Sequence, residues 1–141
     1  MLKKIFKKDS SITVAGIIVF SNRGILLQKR SGVTYRGFWG LPGGHVEPDE
    51  SIKDALIREV KEEVGLEVTI VKKLGVYHEK GRSRGVRYDY MANCFLAKPI
   101  SGKIQPQLEE VSEARIFGFK EIPKRLAFRH SDMVRDFLNG K

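Results

Sequence analysis

Glu59, Glu62 and Glu63 crowd three carboxylates into about one and a half turns of a helix. Their spacing of three and four residues puts them on one side of it. Like charges so spaced repel, and these lie toward the helix C-terminus, where the macrodipole disfavours anions. The apolar line of the same segment runs through Ile52 and Leu56, and its next members are Glu59 and Glu63. Packing, charge pairing and dipole are all violated in one place, as is expected where function overrides stability. A hard divalent cation would relieve every conflict, because magnesium takes oxygen ligands and keeps waters or substrate phosphates in its shell. The competing reading is a solvated face of Glu and Lys, the commoner fate of acidic residues on a helix. The helix taken alone does not decide between them.

The carboxylates need a rigid support, and the surrounding pattern supplies one. Ser51 with Asp54 three residues on predicts a helix cap, Ile52, Ala55, Leu56 and Val60 recur at helical spacing, and Gly65 is a stop. The helix is expected over Ser51 to Val64. Before it, Ser31 to Gly44 carries five glycines and Pro42, too many for a regular element, and reads as a loop that wraps something, the kind of segment on which function often sits. Ile12 to Phe20 and Ile25 to Leu27 are apolar runs separated by Asn22-Arg23-Gly24 and predict a hairpin. After the helix come a β-rich stretch, Glu67 to Leu74, a polar basic loop, Lys80 to Arg87, and a strand, Tyr88 to Ala97. Ser101-Gly102-Lys103 marks a turn, Ala114 to Phe119 a last short strand, and Ser131 to Asn139 a helix with Met133, Val134, Phe137 and Leu138 on its apolar side. The order predicts an α/β sandwich.

The 141 residues fit one domain, 1-141, with a sizeable core. No apolar stretch is long enough to cross a bilayer. The basic start, Met1 to Lys8, is followed at once by Asp9, Ser10 and Ser11 and lacks the apolar run of a signal peptide. Cys94 is the single cysteine, inside an apolar run, which fits a reducing, cytoplasmic setting and a core position. The net charge of +9 suits any polyphosphate. Its cations are scattered, with Lys3, Lys4, Lys7 and Lys8 at the start, Lys80, Arg82, Arg84 and Arg87 in the middle, and Lys120, Lys124, Arg125 and Arg129 near the end. No aromatic-interleaved RNA signature joins them, so a small anionic substrate is expected rather than nucleic acid. A homodimer is left open. His45, His78 and His130 lack metal-ligand spacing.

One pattern tips the balance at the carboxylate helix. Gly44 is followed by five residues and Glu50, then by seven residues and Arg58-Glu59-Val60-Lys61-Glu62-Glu63-Val64-Gly65-Leu66. This resembles the Nudix box, and Ile25 to Arg30 with Gly37-Phe38-Trp39-Gly40-Leu41-Pro42-Gly43-Gly44-His45-Val46-Glu47 is similar to the strand and glycine loop that precede the box in that family. The resemblance covers most of the chain. It implies a three-layer α/β/α sandwich with a mixed β-sheet between helices, and a magnesium-dependent (or manganese-dependent) pyrophosphohydrolase of nucleoside diphosphate derivatives. It implies also that Glu59, Glu62, Glu63 and the carbonyl of Gly43 hold metal. Glu50 and Arg58 would form a supporting pair, with Gly44 and Gly65 shaping the ends of the motif. A glutamate outside the box often joins in as ligand or base, and Glu109, Glu110 and Glu113 are candidates, Glu110 preferred. The base could be Glu59, Glu63 or Glu110. Pro48-Asp49 departs from the Gly-Glu common before the Glu-Ser step, and stiffens the approach to the helix.

Substrate is less legible. Arg30, Arg82 and Arg84 are candidates for binding the remaining phosphate charge. Trp39, Tyr35 and Phe38 could stack on a base, although rings in a glycine loop more often pack beneath it. Leu74-Gly75-Val76-Tyr77, Arg82-Ser83-Arg84-Gly85, Ile122-Pro123 and Leu126-Ala127-Phe128-Arg129-His130 look like segments of ADP-ribose pyrophosphatase relatives, with Arg129 standing where those often have an acidic residue. ADP-ribose or another nucleotide sugar is the first expectation and a nucleoside triphosphate, for instance a damaged one, the second. A non-catalytic nucleotide sensor and an RNA-end processing enzyme are readings from other classes. Steep weakening of binding with salt would mark the RNA reading.

Overall fold

The computed structural model describes residues 10–21 and 23–140. The basic residues before Ser10, and Asn22 of the expected turn, lie outside that range. Nine elements follow in order: β1 (Ser11–Phe20), β2 (Gly24–Arg30), β3 (Trp39–Gly40), β4 (Gly43–His45), α1 (Ile52–Val64), β5 (Leu66–Ser83), β6 (Val86–Gly102), β7 (Val111–Phe117) and α2 (His130–Leu138).

The sheet is mixed. β1 pairs parallel with β6 on one edge, and its other edge is shared by two antiparallel partners, β4 along Thr13 to Ala15 and β2 at Val19 and Phe20. β2 carries β3 and β7, and β5 lies outside β6. A strand covered on both faces reads as a continuous apolar run, which is why β1 alternates so little. Val14 and Ile18 pack with Leu26, Phe95, Leu56, Val60 and Val64 under α1. Ala15 and Ile17 pack with Ile25, Leu27, Cys94, Met133 and Val134 under α2. The helices thus cover opposite faces, giving three layers. Ile17, Ile18, Ile25, Leu26 and Leu27 are fully buried, each stabilising by about 1.5–3 kcal/mol through removal from water.

α1 is fixed at both ends. Ser51 Oγ accepts the Asp54 N–H at 3.0 Å, and Gly65 adopts a left-handed φ of 79° with its N–H donated to Lys61 O, the stop that glycine allows without Cβ strain. Three local expectations are corrected. The expected basic loop Lys80 to Arg87 is strand almost throughout: β5 and β6 run in register from Lys80↔Asp89 to Ser83↔Val86. The turn is Arg84-Gly85, with φ of 50° and 82°, the positive pair of a two-residue hairpin whose twist matches its strands. The expected loop Ser31 to Gly44 likewise contains β3 and begins β4, because Trp39–Gly40 and Gly43–His45 find backbone partners on β2 and β1. The last strand begins earlier and ends earlier than Ala114 to Phe119.

Candidate active site

α1 and the β4 backbone form one wall of a cavity of about 560 Å³ that also takes in Gln28, Arg30, Glu79, Tyr90, Glu110, Phe128 and His130. Arg58 organises the acidic wall. Its Nε donates to Glu50 Oε2 at 2.6 Å and its Nη2 to Glu50 Oε1 at 3.0 Å, a two-pronged pair that holds Glu50 below the usual carboxylate range. Nη1 reaches Glu59 Oε2 at 3.3 Å and Glu62 Oε1 at 3.1 Å, and Nη2 the carbonyl of His45 at 3.1 Å. One guanidinium therefore ties two α1 carboxylates to the chain leading into the helix. Glu62 is the most open of them, its side chain 60% exposed, against 14% for Glu59.

Glu63 is buried and accepts from Gln28 Nε2 at 3.0 Å and from the Gly43 N–H at 3.1 Å. Burial pushes its carboxyl up to about 8 against these hydrogen bonds, with Glu59 adding repulsion. Burial likewise raises Glu59, opposed by Arg58. Gly44 has room for no side chain, because a Cβ there would stand 2.5 Å from Glu59 Cδ. Gln28 Oε1, beside this group, is buried with no hydrogen-bond partner among the described residues. Several hard oxygens thus share one wall with a single fixed guanidinium, and a divalent cation suits such a donor set. Among the described residues no three His, Cys, Asp or Glu side chains stand together as a metal-holding group; Arg58 and Gln28 engage the α1 carboxylates.

The rest of the cavity has a different character. Arg30 donates Nε to Thr34 O and Nη2 to Thr34 Oγ1, both at 2.8 Å, and lies over the Phe128 ring at 5.0 Å. Burial lowers its pKa, with Glu63 the leading charge opposing that. Phe128 has a left-handed φ of 51° and Tyr35 one of 54°, uncommon for bulky residues, and their rings lie 4.7 Å apart. His130 Nδ1 accepts the Leu41 N–H at 3.0 Å, and burial lowers its pKa to about 3. It is therefore a neutral wall.

Of the residues singled out from sequence, Gly43, Gly44, Arg58, Glu59, Glu62, Glu63, Arg30 and Glu110 line this one cavity. Glu50 reaches it through Arg58, and Gly65 ends α1. Glu109 and Glu113 do not line it, and neither do Arg82 and Arg84, which are exposed at the far end of the β5–β6 hairpin. Trp39 packs into the core against Phe117 at 4.8 Å, and Tyr35 supports Phe128 from behind. Glu79, Tyr90, Phe128 and His130 carried no role in the sequence reading. The available signal was alternation, since Tyr77 and Glu79 occupy the buried positions of β5 between exposed Val76, His78 and Lys80.

Comparison with known proteins fits this geometry. The NUDIX domain family matches residues 11–137. The chain is 34% identical over 149 residues to the ADP-ribose pyrophosphatase of Methanocaldococcus jannaschii, covering 99% of this chain and 85% of that protein. It is 32% identical over 130 residues to a MutT-like protein of Streptomyces ambofaciens, covering 92% and 78%. The crystal structure of a MutT NUDIX hydrolase from Burkholderia pseudomallei superposes with a TM-score of 0.82 at 26% identity, over 92% of this chain and 98% of that one. A match over nearly the whole length, with the acidic helix and its glycine loop in place, makes this chain a member of the Nudix hydrolase family.

Proposed function

We propose that the chain hydrolyses the pyrophosphate linkage of ADP-ribose or a closely similar nucleoside diphosphate sugar, with magnesium as the metal. The observation that carries this reading is the single cavity joining the carboxylates of α1 to Arg30 and a ring-lined wall. Its lining, acidic and cationic groups beside rings, suits a nucleoside diphosphate substrate. The relative from Methanocaldococcus jannaschii, itself named an ADP-ribose pyrophosphatase, supports the same choice.

Glu59, Glu62, Glu63 and the Gly43 carbonyl are the oxygens that would hold magnesium, which when bound neutralises phosphate oxygens and acidifies a water. Arg58, anchored by Glu50, keeps Glu59 and Glu62 aimed at the cavity. Arg30 has Nε and Nη2 committed to Thr34, so Nη1 is left to bind a phosphate oxygen. Glu110 lies on the wall without a side-chain hydrogen bond among the described residues and accepts the proton of the attacking water. The water oxygen bonds to one phosphorus, the bridging P–O bond breaks, and the two products carry one phosphate each. Arg82 and Arg84, off the cavity, are left with long-range attraction of the polyanion.

The test is phosphatase-coupled turnover of ADP-ribose, nucleotide sugars, dinucleoside polyphosphates and nucleoside triphosphates, each with magnesium, manganese or chelator. ADP-ribose or a nucleotide sugar as the best substrate, silent in chelator, is the expected result. A nucleoside triphosphate cleaved far better than either would move the assignment to that class.

A further inference from the structure

Glu79 is a buried acid that the hydrolytic chemistry does not use. It is 3% exposed, stands at an inward position of β5 opposite Tyr90 of β6, and lines the cavity. Among the described residues its one hydrogen bond is from the Arg129 N–H to Oε2 at 3.1 Å, and no Lys or Arg forms an ion pair with it. His130 Nε2 is 3.8 Å from Oε2, too far for a hydrogen bond, and is held neutral by burial. Burial pushes the Glu79 carboxyl up to about 7, with Arg129 and Arg30 opposing. Glu79 stands on β5, whereas Glu59, Glu62 and Glu63 stand on α1, which sets it apart from the acidic group of the helix. Oε1 has no hydrogen-bond partner among the described residues, and unlike Gln28 Oε1 it is not sealed from solvent, so it opens to the cavity, where a ligand's donor can reach it.

Its neighbours indicate what that donor is. Tyr90, Phe128 and His130 surround Glu79 on the cavity wall, with Phe128 5.7 Å from both other rings. Phe128 is kept in its left-handed conformation by Tyr35, by Tyr88 at 5.0 Å and by Arg30. Backbone strain over-determined by packing clusters at ligand clamps. Flat apolar faces beside a single free carboxylate oxygen suit a planar heterocycle that presents an N–H group.

We propose that Glu79 is a specificity-determining residue, with Oε1 accepting a hydrogen bond from the exocyclic amino group of the substrate's purine base as that base lies against Tyr90 and Phe128. This rests on the reading of the cavity as the hydrolytic site for a nucleoside diphosphate compound. A base lacking the amino group leaves the carboxylate unpaired and binds less well. In Glu79→Gln the amide oxygen takes the Arg129 N–H, the NH₂ group faces the cavity, and a donor meets a donor.

Two matched pairs test this, each differing by one amino group: AMP against purine riboside 5′-monophosphate, and GMP against IMP. Calorimetric binding of the four compounds is measured on the wild-type chain and on Glu79→Gln, alongside magnesium-dependent cleavage of ADP-ribose and of its analogue without the amino group. In the wild type, one pair should favour the amino compound by about ten- to a hundredfold in Kd. Cleavage should show the same preference in kcat/KM, and in Glu79→Gln both ratios should collapse to about one or invert. Ratios are taken within each protein, so a variant merely less well folded moves both members equally and leaves them unchanged. Equal binding of both pairs in the wild type, or a preference that survives the substitution, overturns the role of Glu79 while leaving the hydrolytic site standing. Absence of metal-dependent cleavage of every nucleoside diphosphate compound overturns the site reading and this inference with it.

Discussion

Gly44→Ala isolates the geometry of the acidic wall from its chemistry, because it removes no charged group. Gly44 is held in β4 opposite Val14 of β1, so its backbone is not free to retreat. An alanine Cβ there would stand 2.5 Å from Glu59 Cδ and 2.8 Å from Oε1. Ordinary contact begins at about 3.4 Å, so the carboxylate must move by about 1 Å, and its bond to Arg58 Nη1 at 3.3 Å goes with it. Displacement by that distance costs on the order of a hundredfold in rate where a group must be positioned for reaction. Stability moves little. Losing one partly exposed ion pair costs up to about 1 kcal/mol, while glycine to alanine in a strand returns about 0.5–1 kcal/mol. Paired measurements of kcat on ADP-ribose and of Tm should show a deep fall in the first and a change within about 4 °C in the second. Turnover within threefold of wild type would mean that Glu59 need not stand where the structure puts it.

Arg58→Lys keeps the charge and loses the fork that joins Glu50, Glu59, Glu62 and the His45 carbonyl. A loss of about 1–2 kcal/mol after allowance for solvent screening, or about 4–8 °C in Tm, should accompany reduced turnover, and an unchanged melting curve would rule that support out. His130 sets an acid limit. The folded chain keeps it neutral to about pH 3, while the unfolded chain takes up a proton below about pH 6.5, so its contribution is complete above 6.5 and is lost as pH falls toward 3. Relative to His130→Asn, the wild type should lose about 2 kcal/mol more between pH 7 and pH 5. Glu79, whose raised pKa gives the opposite slope, is common to both proteins. Parallel stability profiles for the two proteins would show that His130 is not held neutral. Ser51→Ala removes the hydroxyl that caps α1 and should cost about 1 kcal/mol with kcat retained. A larger loss of kcat than of stability would tie the cap to catalysis.

The helix was legible because its anomaly was local: carboxylates where the apolar stripe called for leucines, between a serine cap and a glycine stop. Glu63 is the clearest case, a charged residue buried at the position where that stripe continues. The central strands were legible as unbroken apolar runs. What escaped was polar strand. Lys80 to Arg87 carries so many cations that its pairing is invisible in composition, yet backbone ladders accept any side chain on an exposed edge face, and the Arg84-Gly85 turn completes the hairpin. Ending the strand at Leu74 hid Glu79, which fell between the expected strand and the expected loop, whereas in β5 it alternates with Tyr77 and so has an inward face. Phe128 and His130 escaped for another reason. They reach the cavity from the approach to α2, far along the chain, and no spacing rule links them to Arg30 or Leu41, which they touch only through tertiary packing.

The most direct test of the acidic helix as the hydrolytic centre is the turnover of ADP-ribose by Glu62→Gln at saturating magnesium, with Tm measured in parallel. The Glu62 side chain is 60% exposed and its ion pair is with Arg58 Nη1, so the near-isosteric amide should leave Tm unchanged or slightly raised as a repelling charge is removed. Turnover should fall by on the order of a hundredfold or more. Undiminished turnover at unchanged stability would contradict the account, since the carboxylate most open to a metal would then take no part in the reaction.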